Sequence, residues 1–417
     1  MNFSGTSKKI AANTIYQLIG KIVSLGITVL ATVIITRTYG REIYGQFSLM
    51  QAWPALFFVI VDFGINAIAT REISKDWSKA GKYFGNILLI RIIFSIILML
   101  VLFVASRFFP YSQVLKTGIT LSLLLILTQA LFTSTNIIFQ ARLRYDLSTI
   151  GYLIGYAFIL VIIFFLSRAK VDVMWISFSY VIGGFITFFV NYYFVRSLGV
   201  KPEFVLDKQL WGYLLSSSLP LGLMFVFSQI NFKADALLLS VLPVPAFLNV
   251  SNNEAVGLYA LPYKIFEVAL VMPTFFMNSL YPVMVLRMTE GKEKLKETLK
   301  QSLKFLIVAA LVFSAVGYVF SPLAINVLGG VEFEASILVL RILLSQPLAW
   351  VIVTMGYQKY LPGIYLASGV FNLVMNFIFI PVYSFYMSAV ITHFSELLIL
   401  ILLIVTVRKI WRKTYAA

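Results

Sequence analysis

Runs of about twenty apolar residues recur along the whole chain, separated by short polar pieces, which is the length a helix needs to cross the hydrocarbon layer. The pattern predicts about twelve such helices, near 13–36, 43–70, 85–108, 114–139, 147–167, 171–195, 210–242, 255–286, 301–321, 335–358, 361–380 and 385–407. Within several of them the polar residues fall into stripes. In the first, Asn13, Gln17, Lys21, Ser24, Thr28 and Thr32 step by three or four and so share one helix face, predicted to look onto water or protein and away from lipid. The fourth carries Gln129, Thr133, Asn136 and Gln140, and the second ends in Asp62, Asn66 and Thr70. The seventh carries Ser228, Asn231 and Asp235 beside Gln229 and Lys233; the eighth carries Lys264, Glu267, Thr274 and Asn278. Hydrogen bonding between packed helices accounts for neutral stripes as well as a wet cavity does.

A second pattern works at longer range. Glu42 to Phe47 and Glu254 to Tyr259 share Glu-x-x-Gly-x-aromatic, about half a chain apart and each ahead of a long apolar segment. The polar stretch Arg196 to Gln209 lies between, so the chain divides into an amino-terminal lobe, 1–200, and a carboxy-terminal lobe, 201–417, read as parallel six-helix repeats. Paired membrane repeats with a site at their interface are a common transporter design. A second hydrophilic piece, Arg287 to Lys304, mixes Glu290, Glu293 and Glu297 with lysines at helical spacing and predicts a short amphipathic helix joining spans eight and nine.

Composition narrows the class. The chain is 60% hydrophobic and 12% charged, with a mean hydropathy of +0.92, which marks an integral membrane protein. Lys and Arg concentrate in alternate loops, from Lys8 and Lys9 through Arg71, Lys75, Lys79 and Lys82 to Arg408, Lys409, Arg412 and Lys413, so both termini are expected in the cytoplasm. The formal charge of +16 then describes loops facing anionic headgroups, not a nucleic-acid surface. Without cysteine there is no disulfide and no thiolate chemistry.

Charges inside spans are the sharpest functional signal, because each costs roughly 2.5–3.5 kcal/mol at a helix centre unless hydrated, paired or snorkelling. Arg91 lies under two turns into span three and is expected to snorkel toward the headgroups. Lys21, with no acid in its own span, is the preferred cavity cation, and Lys233 and Lys264 join it. Asp235, Lys264 and Glu267 fall near one end of neighbouring spans and read either as a structural ion cluster or as substrate contacts. The candidate binding set is therefore Gln17, Lys21, Thr28, Asp62, Arg91, Gln129, Asn136, Lys233, Asp235, Lys264 and Glu267. Cations suit phosphate oxygens, and the amides and hydroxyls suit sugar hydroxyls. His393, the sole histidine, stands three residues from Glu396, a spacing that fits a local hydrogen bond better than a catalytic dyad. No metal-ligand cluster, phosphate loop or nucleophile with a base is present, and neither an enzyme nor a cofactor is expected.

Several stretches, in this order and spacing, resemble the polysaccharide-unit (oligosaccharide) flippases of the superfamily that also holds multidrug exporters and lipid II flippases. They are Thr36 to Gly45, Asp62-Phe63-Gly64-Ile65 through Thr70-Arg71-Glu72, Lys233 to Leu239, Val256-Gly257-Leu258-Tyr259, Pro262-Tyr263-Lys264, Tyr281-Pro282, and Asn372 to Asn376 with Ile380-Pro381. The resemblance implies an all-helical protein of the bacterial or archaeal cytoplasmic membrane whose two six-helix lobes alternate access to a central cavity. It would carry polyprenyl-diphosphate-linked sugar units to the outer leaflet for O-antigen, lipopolysaccharide or similar surface polymers, with an ion gradient and other assembly proteins as candidate partners. One departure is a segment between Arg341 and span eleven that is several residues shorter than the resemblance implies. Two alternatives stay open: a cation-coupled multidrug exporter, for which Asp62 is the sole amino-terminal coupling acid, and a membrane polymerase or ligase, for which the longest external loop, Pro243 to Glu254, is short and holds no Lys, Arg or His.

Overall fold

The computed structural model describes residues 3–270, 280, 287, 290–345 and 360–415, and all its regular structure is helical. Most of span eight beyond Leu270, with Thr274, Asn278 and Tyr281-Pro282, and the shortened stretch of span ten lie outside the described residues. In chain order the helices are α1 Phe3–Asp62, α2 Ile65–Lys75, α3 Ala80–Arg107, α4 Gln113–Ser122, α5 Leu124–Arg142, α6 Tyr145–Arg168, α7 Val173–Ser197, α8 Lys208–Val241, α9 Asn252–Ala269, α10 Lys292–Gly329, α11 Ser336–Leu344 and α12 Leu361–Tyr415.

Among the described residues, eight helices are long and apolar enough to cross a bilayer. Two of these, of 47 and 46 residues, run about 70 Å at 1.5 Å per residue, over twice the ~30 Å hydrocarbon thickness. Each contains a residue outside helical geometry, Gly40 (φ 73°) in α1 and Ser384 (φ 50°) in α12. Glycine takes that left-handed backbone without a side-chain clash. The single segments expected at 43–70 and 114–139 are each broken: Phe63 (φ 43°) and Gly64 (φ 72°) separate α1 from α2, and Leu123 separates α4 from α5. The piece from Arg287 to Lys304 differs from expectation, because from Lys292 onward it is the opening turns of one 38-residue helix, α10, and not a separate amphipathic helix.

The chain forms two compact units, Met1–Gln229 and Ile230–Ala417. In the first, a core of Phe84, Ile87, Ile137, Ile138, Phe139, Val195 and Leu214 lies where α3, α5, α7 and α8 converge. Helices α6 and α7 approach through small residues: a Cβ on Gly155 would sit 1.9 Å from the Thr187 hydroxyl, and one on Gly183 would sit 2.2 Å from Ile159. Close backbone approach of this kind replaces hydrophobic drive, which lipid tails abolish. In the second unit, Ser336 Oγ donates to the Leu258 carbonyl at 2.7 Å and Ser314 Oγ to the Leu344 carbonyl at 2.6 Å, tying α11 to α9 and α10.

Residues 201–207, which lead into α8, are strapped to the start of α3. Glu203 N donates to the Gly81 carbonyl at 3.0 Å, Asn86 Oδ1 accepts from Asp207 N (3.1 Å) and Trp211 Nε1 (2.9 Å), and Lys82 pairs with Asp207 at 2.6 Å. The Lys82 ammonium holds the Asp207 carboxyl below its usual range. A Cβ on Gly85 would fall 2.1 Å from the Glu203 carbonyl oxygen, a backbone atom with no rotamer to change. Gly85→Ala is therefore expected to lift the strap and speed proteolytic cleavage within 201–207 several-fold, whereas a cleavage rate equal to wild type would contradict this packing.

Candidate functional site

Three polar clusters stand out, one in the first unit and two in the second. The densest surrounds Asp235, which α8 carries into the second unit one turn after Asn231. Its carboxylate is 1% exposed. Tyr259 OH donates to Oδ2 at 2.6 Å, Thr392 Oγ1 lies 2.7 Å from the same oxygen, and Asn376 Nδ2 donates to Oδ1 at 2.8 Å. Helix α12 supplies this ring from both sides of its break at Ser384. Ser368, Asn372 and Asn376 repeat every four residues on one side, and Ser388 and Thr392 do so on the other, so each set shares a face. Behind the ring, Asn376 Nδ2 also reaches Asn372 Oδ1 at 3.1 Å, Asn372 Nδ2 donates to Ser395 Oγ at 3.3 Å, and Ser368 Oγ lies 3.0 Å from Asn231 Oδ1.

Counting protons shows what this ring lacks. The single Thr392 hydroxyl proton faces two acceptors, Asp235 Oδ2 at 2.7 Å and the Ser388 carbonyl at 2.8 Å, and it can serve only one. Asn376 Oδ1 and Ser388 Oγ are buried and find no partner among the described residues. Of the two readings open for Asp235, Lys264 and Glu267, a single ion cluster is not what forms: the side chains bonded to the Asp235 carboxylate are neutral, and Lys264 pairs with Glu267 apart from it. A buried anion with surplus neutral oxygens fits one added positive charge, either a proton on the carboxyl or a small hard cation among the oxygens. Groups of three or more His, Cys, Asp or Glu able to hold a metal are absent among the described residues.

Lys264 and Glu267 belong to the second cluster, where Lys233 joins them. Glu267 accepts from Lys233 and, at 3.1 Å, from Lys264. Lys233 also lies 5.4 Å from the centre of the Tyr263 ring, whose hydroxyl is buried and unpartnered among the described residues. Two ammonium groups thus share one carboxylate, with Lys264 45% exposed. The net positive charge is held in place by Glu267 and partly exposed, which suits an anion arriving from the open side.

In the first unit Arg91 does not snorkel. It is 0% exposed and donates NH2 to Asp62 Oδ1 at 2.6 Å and to Asn66 Oδ1 at 2.9 Å. Its NH1 donates to Ser134 Oγ at 3.0 Å and Thr133 Oγ1 at 3.3 Å. One guanidinium from α3 therefore joins the end of α1, the start of α2 and the middle of α5, right beside the Phe63–Gly64 break. On α5, Asn136 Nδ2 donates to Tyr152 OH at 3.1 Å and its Oδ1 accepts from Ser148 Oγ at 2.7 Å, while Thr133 Oγ1 donates to the backbone carbonyl of Gln129 at 2.6 Å. On α1, Gln17 and Lys21 are exposed. The hydroxyls of Ser24, Thr28, Thr32 and Thr36 bond back to carbonyls one turn earlier on the same helix. His393 pairs with Ser345 Oγ at 3.2 Å and not with Glu396.

Sequence reading missed Tyr259, Asn372, Asn376 and Thr392 as partners of Asp235, although Tyr259 and the Asn372 to Asn376 stretch stood among the family-like motifs. The four-residue spacing of Ser368, Asn372 and Asn376, and of Ser388 and Thr392, was the available signal.

The family model described as polysaccharide biosynthesis protein matches residues 10–288. A search of curated proteins returns no match. Among solved structures, the Vibrio cholerae MATE transporter VcmN, in a mutant form, superposes with a TM-score of 0.67 at 15% identity, covering 98% of each chain. An inward-facing multidrug resistance MATE transporter of the MOP superfamily gives 0.72 at 13% identity, covering 97% of this chain and 100% of its own. The lipid II flippase MurJ, in an inward closed conformation, gives 0.63 at 16% identity, with coverage of 95% and 87%. At these identities the likeness is one of fold.

Proposed function

The chain belongs to the polysaccharide biosynthesis protein family, and on that premise we propose that it is a flippase for polyprenyl-diphosphate-linked oligosaccharide units, moving them from the inner to the outer leaflet of the cytoplasmic membrane. In this reading about twelve helices form two six-helix lobes, 1–200 and 201–417, with both termini cytoplasmic and access alternating between them. The observation that carries the substrate class is the pair of lysines on Glu267: partly exposed, fixed and net positive, they offer a diphosphate charge-assisted hydrogen bonds. Lys21 supplies a further exposed cation on α1. The sugars would be met by amides and hydroxyls and the prenyl tail would stay in lipid. Asp235 would hold the coupling proton or cation, its ring supplying the oxygens.

The multidrug-exporter alternative needs a titrating acid in the first lobe. Asp62 is its sole candidate, and that carboxylate already holds the Arg91 guanidinium, which favours the flippase. The relatives in fold are transporters or flippases, which agrees with a protein that performs no covalent chemistry.

Two measurements test this. In cells lacking the protein, complete lipid-linked units should accumulate on the cytoplasmic leaflet and clear when it is restored; a normal distribution would redirect attention to small-molecule export, and single units stranded on the outer leaflet to a polymerase or ligase. In reconstituted vesicles, Lys264→Gln should raise the half-saturating concentration of a lipid-diphosphate substrate about tenfold with little change in thermal stability. Lys21→Ala should likewise impair flux in a folded, inserted protein. Wild-type kinetics in both variants would remove the phosphate assignment.

A further inference from the structure

The strap that leads into α8 carries more than its tethering contacts. Phe204, Val205 and Leu206 are 59%, 65% and 56% exposed, three consecutive apolar side chains projecting from a backbone that is itself fastened down at Glu203 N and Asp207 N. All three are open, so the local fold offers none of them a pocket. Exposed cations flank them: Arg196 at the end of α7, Lys201 at the head of the strap and Lys208 at the start of α8. None of these three makes an ion pair among the described residues. The anions nearby are Asp207, which is committed to Lys82, and Glu203, whose side chain lies over Gly81. The balance of uncommitted charge on the strap is therefore positive.

Its location supplies the rest. The strap joins the end of α7 to the start of α8 and packs on the start of α3, three segments that each have the length and hydropathy of a membrane span. It therefore lies at the ends of these helices, and helices that cross a bilayer end where headgroups meet acyl chains. A short apolar run flanked by lysines at that depth has the composition of an interfacial anchor, with apolar side chains dipping between lipids and cations on the phosphates.

We infer that residues 196–208 form an interfacial anchor that recognises anionic lipid, with Phe204, Val205 and Leu206 inserted among the acyl chains and Arg196, Lys201 and Lys208 on headgroup phosphates. The occupant is the bilayer surface itself and not the transported lipid. The inference stands independently of the proposed cargo, because a protein of this fold carrying any other substrate would present the same strap.

The absence of cysteine makes a direct test simple. Val205→Cys gives the full-length chain one thiol for a nitroxide spin label. After reconstitution into phosphatidylcholine vesicles with or without phosphatidylglycerol, its accessibility to oxygen and to a water-soluble nickel chelate reports depth. The expected result is a label reached by oxygen and shielded from nickel in the anionic vesicles. Adding Arg196→Gln, Lys201→Gln and Lys208→Gln should increase nickel access about tenfold, toward the level in pure phosphatidylcholine. A label open to nickel in anionic vesicles would overturn the inference. So would one shielded from both reagents, since protein and not lipid would then cover the strap. Equal insertion in both vesicle types, unchanged by neutralising the three cations, would reject the recognition of anionic lipid.

Discussion

Asp235→Asn is expected to lower reconstituted flux at least tenfold while the protein remains folded and inserted. The substitution keeps the shape of the side chain but removes the negative charge on which three donors converge. Tyr259 and Thr392 can rotate their hydroxyls to suit an amide, so the stability cost should stay near that of one mismatched buried hydrogen bond, about 1–3 kcal/mol. The separating measurement is thermal stability against cation concentration and pH. A ligand that binds the native state raises its stability in proportion to the logarithm of its concentration; wild type should show that rise for the coupling ion and Asp235→Asn should not. Flux that persists at the wild-type level, with its ion dependence intact, would sink the assignment. Asp235→Ala should cost more stability than the Asn variant, since it removes the acceptor that Tyr259, Thr392 and Asn376 share and leaves a buried gap among them.

Asp62→Ala should destabilise the first unit by about 3–5 kcal/mol, the range for breaking a buried ion pair from one side. The guanidinium it abandons is 0% exposed, whereas Asp62 is 24% exposed. That asymmetry sets the direction of the comparison. Arg91→Leu leaves behind a carboxylate that water can reach, so its cost should be smaller, about 1–2 kcal/mol. The double variant Asp62→Leu with Arg91→Leu should recover much of the loss, because an apolar pair of similar volume strands no charge. Thermal unfolding of the four proteins in detergent decides the matter. A larger loss for Arg91→Leu than for Asp62→Ala would mean that the guanidinium holds the α1–α2 break chiefly through Asn66, Ser134 and Thr133.

Hydropathy made the helical membrane fold legible, since no other arrangement satisfies the backbone of so many apolar runs in lipid. It did not reveal the breaks. Gly64 was readable as a helix stop, but Phe63 adopts a left-handed backbone that nothing in its own identity announces. Local charge counting also chose the wrong neighbours. Lys233 and Asp235 are two residues apart and therefore on different faces of α8, so Lys233 meets Glu267 while Asp235 meets α12, over 130 residues away. Arg91 was misjudged because depth in a span says nothing about whether a neighbouring helix offers a carboxylate. The polar stripe of α1 was correctly seen as periodic, yet its hydroxyls need neither water nor a partner helix, since each spends its proton on its own backbone.

At 3.6 residues per turn, positions two apart point about 200° away from each other, so a single turn of α8 presents a carboxylate to one side and an ammonium to the other. Neither group can be displaced without carrying its opposite with it. If filling the Asp235 ring draws that turn toward α12 by a fraction of an ångström, Lys233 withdraws from Glu267 by a comparable amount, and an anion pulling on Lys233 tugs the carboxylate out of its ring. Under the proposed function the turn would work as a rocker with one ligand on each arm, so that an ion and a phosphate would not need to touch to sense one another.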